Sequence, residues 1–105
     1  MNYETIIKLI NEDKPIAAAT ATFSLFDDII KVNDEGNAFF VIEKLILEDK
    51  IPIEVLFAIA TSTEYAETET LKKVRLKCIN LAKDKLEKKY GIEKASEIIH
   101  RKYGF

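Results

Sequence analysis

One histidine, one cysteine and a few adjacent carboxylates are the residues of this 105-residue chain whose types could do chemistry. His100 and Cys78 together have the composition of a base and a nucleophile. Such a pair needs an ionised thiol, and an imidazole held in place by an orienting partner. Nothing in the sequence supplies that partner. Cys78 shares a helical apolar stripe with Val74 and Leu81, the setting of a buried, inert thiol. His100 follows Ile98 and Ile99 and precedes Arg101 and Lys102. Near a helix C-terminus a protonated imidazole interacts favourably with the helix dipole. A structural role is expected for both.

Metal chemistry fares no better. Residues 33–37, Asn-Asp-Glu-Gly-Asn, resemble the middle of a calcium-binding EF-hand loop. With Gly36 at the sixth position, the first ligand would be Lys31 and the twelfth Ile42. Both positions need acidic ligands, and a lysine repels the ion. An ordinary polar turn is expected. Asp27-Asp28 and Glu48-Asp49 are paired in sequence, but neighbours on a helix diverge by about 100° and do not converge on one point. Glu97-x-x-His100 supplies one copy of a spacing that di-metal bundles need twice. One cysteine cannot build a multi-cysteine zinc site. The chain has no Gly-rich phosphate loop and no Gly-x-Ser-x-Gly elbow. No catalytic, cofactor or metal residue is therefore assigned, and the chain is read as a non-enzyme.

Charge is more informative. Residues 1–66 carry 5 lysines and 12 acidic residues, a net of −7. Residues 67–105 carry 11 Lys plus Arg and 6 acidic residues, a net of +5. A basic segment can meet an acidic protein or nucleic acid. Lys72, Lys73, Lys77, Lys83 and Lys88 are the candidate surface for an acidic partner. On a helical wheel the basic residues spread over most of the non-core circumference. Glu69–Lys73, Lys83–Glu87, Asp84–Lys88 and Glu97–Arg101 stand at i,i+4, where they can pair locally. The aromatic platform of a single-strand binder is missing. A helix-turn-helix reader over 52–77 would have an acidic, Thr-rich connector without glycine where phosphate should lie. Attraction between the two halves, within one chain or between two, is the stronger expectation.

These residues must be positioned by helices, because apolar spacing of 3 and 4 recurs throughout. Tyr3, Ile6, Ile7 and Ile10 share one face, with Asn2 as N-cap. That helix should end near 13–14, before Pro15. Pro15 suits the first turn of a second helix. Its apolar seam runs through Ile16, Ala19, Phe23, Phe26 and Ile30. The alanines at 17, 18, 19 and 21 would let a neighbour approach closely. Residues 20–26 are β-compatible by propensity, but the seam continues past them without a partner strand. Residues 33–37 are the clearest loop, with Gly36 taking the positive φ. A third helix spans 38–49, with Phe39, Ile42, Leu45 and Ile46 inward. Pro52 opens a fourth, carrying Ile53, Leu56, Phe57 and Ala60. Residues 61–70 either extend it or form a linker. A fifth helix covers 71–90, burying Leu71, Val74, Cys78, Leu81, Ala82 and Leu86. Gly91 ends it, with Ile92 placed for the accompanying contact. A sixth covers 93–102, burying Ala95, Ile98 and Ile99.

Residues 7–14 and 43–50 are identical at six of eight positions, and each is followed closely by Pro-Ile. The offset of 36 or 37 lies near the period of helical-hairpin repeats. Two clear copies are fewer than such stacks usually need, and two helices ending alike would look the same.

Composition bounds the rest. With 48% hydrophobic residues, 3 Gly and 2 Pro, the chain reads as one ordered domain over residues 1–105 with few turns. The expected fold is all-α, with five to six helices in consecutive antiparallel hairpins around one core. The start lacks a basic signal region. The longest charge-free stretch, 15–26, is 12 residues, too short for a membrane span. With its lone cysteine, this gives a cytoplasmic, soluble expectation. The expected partner is another protein or a second copy, a homodimer included. The alternative is a nucleic-acid-associated regulator using the basic C-terminal third.

Overall fold

The computed structural model describes residues 2–46 and 50–103, which form six helices. They are α1 (Tyr3–Asn11), α2 (Pro15–Lys31), α3 (Glu35–Ile46), α4 (Ile53–Ser62), α5 (Glu69–Tyr90) and α6 (Ile92–Tyr103). No strand occurs among the described residues, and the β-compatible stretch 20–26 lies inside α2. The fold is all-α, as the periodicity requires.

Most neighbours in sequence are neighbours in space, α3 and α4 excepted among the described residues. α1 packs on α2, α4 on α5 and α5 on α6. Helices two apart also touch: α2 on α4, α1 on α3 and α3 on α5. The Cα trace measures 38 × 34 × 19 Å, so the thin axis is about two helix diameters. Of the 7–14 and 43–50 echo, the first copy spans the end of α1 and its turn. The second begins in the last turn of α3, and its residues 47–49, like the expected end of that helix, lie outside the described residues.

Two turns share one geometry. After α1, the amide of Asp13 donates to Ile10 and that of Lys14 donates to Leu9. After α2, Asn33 donates to Ile30 and Asp34 to Ile29. Both are Schellman closures, which satisfy carbonyls that a helix end leaves orphaned. Each needs a left-handed residue: Asp13 has φ 57° and Asn33 has φ 54°. This corrects the assignment of the positive φ to Gly36. Gly36 lies in the first turn of α3, which starts at Glu35 rather than 38. Asp34 starts it by accepting from the Asn37 amide at 3.4 Å. Asparagine tolerates the left-handed region well enough that no glycine is needed there.

At α1 the Asn2 carboxamide accepts from the Thr5 amide at 3.1 Å, the expected cap. Residues 61–70 divide: α4 runs to Ser62, a linker follows, and the Thr68 hydroxyl caps α5. Gly91 alone joins α5 to α6, with φ 90°. Ile92 is 70% exposed, so the expected apolar contact behind Gly91 is not made. With only one residue between the helices, Ile92 is spent on starting α6.

The core draws on every helix, from Ile6 and Ile10 in α1 to Ala95 and Ile99 in α6. On α3 the inward residues are Ala38, Val41, Ile42 and Leu45, while Phe39 is half-buried and Phe40 is exposed. α4 is the most enclosed, burying Val55, Leu56, Ala58, Ile59 and Ala60. On α5, Ile79 is buried and Leu81 only half-buried, a small rotation from the expected stripe.

The seam of α2 needs a larger correction. The buried residues are Ala18, Ala21, Thr22, Leu25, Phe26 and Ile29. Of the expected seam only Phe26 is buried; Ala19 and Ile30 are half-buried, Phe23 is 39% exposed and Ile16 76% exposed. The cause is packing against α4. Ala18, Ala21 and Thr22 are small, so α4 can come close along their side of the helix. Thr22 adds no polar cost, because its hydroxyl donates to the Ala18 carbonyl at 2.7 Å. A larger seam residue would hold the helices apart.

A candidate basic face on α5

α5 is held by its ends and by its buried stripe. Thr68 accepts from the Leu71 amide at its start, and Glu69 lies in its first turn. Lys88 and Lys89 occupy its last turn, where the helix dipole favours cations. The buried stripe from Leu71 to Leu86 faces α4, α6 and α3. The opposite arc therefore faces water. Lys72, Lys73, Lys77 and Lys88 are exposed on it. Lys83 differs. It is half-buried and lines a small cleft between α5 and α6 with Asn80, Ser96 and Ile99. The five candidate lysines thus share one helix, but four are exposed and one is tucked against α6.

Local pairing is sparser than the spacing allows. Glu97–Arg101 forms at 2.6 Å, and Lys94 also lies 4.0 Å from Glu97. Among the described residues, the three i,i+4 pairs open to α5 are not closed into ion pairs. None of these three pairs neutralises a lysine of α5. Salt would screen these lysines over about 8–10 Å at ordinary ionic strength.

Two features of this face were not singled out by sequence reasoning. Leu76, 48% exposed, stands among the lysines. A shallow cleft of about 340 Å³ lies beside it, lined by Thr63, Glu64, Ala66, Lys72, Arg75 and Leu76. Arg75 is half-buried and its Nε donates to the Ala60 carbonyl at 3.3 Å. Leu76 was legible: it breaks the apolar stripe of α5 as an isolated leucine between Arg75 and Lys77. Arg75 was not, because its partner is a main-chain carbonyl of another helix.

The residues with chemical potential do not form a site. Cys78 is fully buried, and burial pushes its thiol up to about 12, slightly offset by the positive charge of Lys77. A protonated core thiol is a poor nucleophile. His100 is exposed on α6. Asp27 and Asp28 are both exposed on α2. Glu48 and Asp49 lie outside the described residues. Residues 32–34 are the turn between α2 and α3, and Asp34 is engaged as its helix cap. Among the described residues no three His, Cys, Asp or Glu side chains are placed to hold a metal ion. None of the described helices is long and apolar enough to cross a membrane.

No protein-family model, no curated protein and no solved structure matches this chain.

Proposed function

We propose that this chain is a non-enzymatic helical module that binds another protein or a second copy of itself. The observation that carries the reading is the outward arc of α5. There Lys72, Lys73 and Lys77 stand within about one turn of the half-exposed Leu76, and Lys88 lies further along the same helix. An apolar centre beside several basic residues suits a partner of opposite charge, because charge steers the encounter and the apolar contact holds it. The burial of Cys78 speaks for binding over catalysis. A lone buried thiol suits a reducing compartment, so the cytoplasm is the proposed location.

The test is an affinity purification of the full chain from its native host, run beside a Lys72→Glu, Lys73→Glu, Lys77→Glu variant. A protein recovered with the wild type and lost with the variant is the expected result. Identical recoveries from both would overturn the reading.

A second reading, a nucleic-acid-associated regulator, is favoured by the same lysine arc. It is weakened by Asp84 on that arc and by an aromatic complement limited to Tyr90 at the helix end. It requires binding that falls steeply with salt, because phosphate contacts release counterions. A flat gel-shift titration at low salt removes it.

A further inference from the structure

We infer that the acidic partner of α5 is a second copy of this chain, which docks through the outward face of its α2. The inference rests on the interaction reading above and names its partner. The exposed side of α2 carries Ile16, Thr20, Phe23 and Asp27 at spacings of 4, 3 and 4, so they form one stripe. Ile16 is 76% exposed and Phe23 39% exposed, large apolar groups with no cover. Asp28, also exposed, stands beside Asp27. That face is apolar with an acidic end. The outward face of α5 is its counterpart, an exposed leucine with basic residues around it.

The spacings match as well as the charges. Asp27 lies four residues after Phe23, one helical turn or about 6 Å along α2. Lys72 lies four residues before Leu76, the same distance along α5 in the opposite direction. Set antiparallel, Phe23 of one copy meets Leu76 of the next while Asp27 meets Lys72. Asp28 and Lys73 stand beside that pair. A parallel arrangement would put Asn80 opposite Asp27 instead. The opposed net charges, −7 over residues 1–66 and +5 over 67–105, favour the same encounter over longer range. Two unlike faces meet, so the contact is either doubled by a two-fold axis or repeated head to tail.

The experiment is sedimentation of the full chain at about 50 mM and about 1 M salt, across concentration. Association at low salt, weakened at high salt, is expected. Asp27→Lys with Asp28→Lys should weaken it at least about tenfold, as should Lys72→Glu with Lys73→Glu. All four positions are exposed, and an unchanged circular dichroism spectrum will show that each variant folds. Mixing the two charge-reversed variants should restore association, since each then offers the face the other lacks. A wild-type monomer at every concentration and salt overturns the inference, as does association that ignores both charge reversals. Should the monomer still capture another protein through its lysines, the broader interaction reading survives while this one falls.

Discussion

The Nε of Arg75 donates to the carbonyl of Ala60 at 3.3 Å, joining α5 to the last turn of α4 across fifteen residues of chain. The final carbonyls of a helix have no partner within it. Arg75 supplies one from the neighbouring helix, and the Thr63 hydroxyl reaches the same carbonyl at 3.3 Å. The contact therefore fixes how the linker between α4 and α5 leaves the core. Arg75→Met keeps most of the stem and removes the donor. It should cost about 1 kcal/mol in urea unfolding, the size of a hydrogen bond to a charged group that water partly reaches. No change in the unfolding midpoint would mean that Thr63 alone suffices.

The paired turns at Asp13 and Asn33 give a stabilising prediction. A left-handed conformation strains any residue with a Cβ, less so Asn and Asp. Asp13→Gly should raise stability by roughly 0.5–1 kcal/mol, and Asn33→Gly by somewhat less. Thermal melts of the two variants and the wild type will order them. A loss in both would show that the side chains contribute more than their backbone strain.

Which parts of this fold could be read in advance follows from the range of the forces involved. The Asn2 cap, Pro15 in the first turn of α2 and Gly91 between α5 and α6 are local, and each stands where its chemistry requires. The face that α2 buries is set by a contact with α4, some thirty residues away, and not by its largest side chains. Ile16 and Phe23 are large, but Ala18 and Ala21 are what α4 needs. For the basic surface, lysine positions were legible because the helix was. Leu76 among them is legible for the same reason, but the cleft beside Arg75 depends on how the 63–68 linker runs, which no local pattern encodes.

Close packing at α2 and α4 predicts intolerance of bulk. Ala18 is fully buried and accepts the Thr22 hydroxyl. Ala18→Leu must force the helices apart or drive side chains off their rotamers, at a cost of about 1–3 kcal/mol. The same exchange at exposed Ala17 should change stability by less than about 0.5 kcal/mol. Equal melting temperatures for both variants would contradict the packing described.

The Cys78 thiol gives a pH-dependent prediction. Its folded value lies at about 12, above the ordinary value of 9.0, because burial disfavours the thiolate. The unfolded chain therefore releases this proton first as pH rises. The stability that Cys78 contributes is whole below pH 9 and falls as pH climbs from there towards 12. Alkylation by iodoacetamide at pH 8 should be slow in the folded protein and fast in denaturant. Equal rates in both would place the thiol outside the core.

The Glu97 carboxylate gives a deliberately small one. It holds Arg101 at 2.6 Å with Lys94 nearby, all on the exposed side of α6. Glu97→Gln should cost no more than about 0.5 kcal/mol, and less in high salt. A loss several times larger in a denaturation curve would mean that α6 depends on this pair for its docking.

The succession of contacts along the chain has a kinetic consequence. Each helix meets partners one or two places away, so few distant stretches of chain must find each other before packing begins. Search of that kind is short, and domains with local topology fold within about microseconds to milliseconds. During synthesis, the first four helices could settle against one another before the last two have left the ribosome. Only then would the lysine-bearing helix arrive, laid onto a platform already formed.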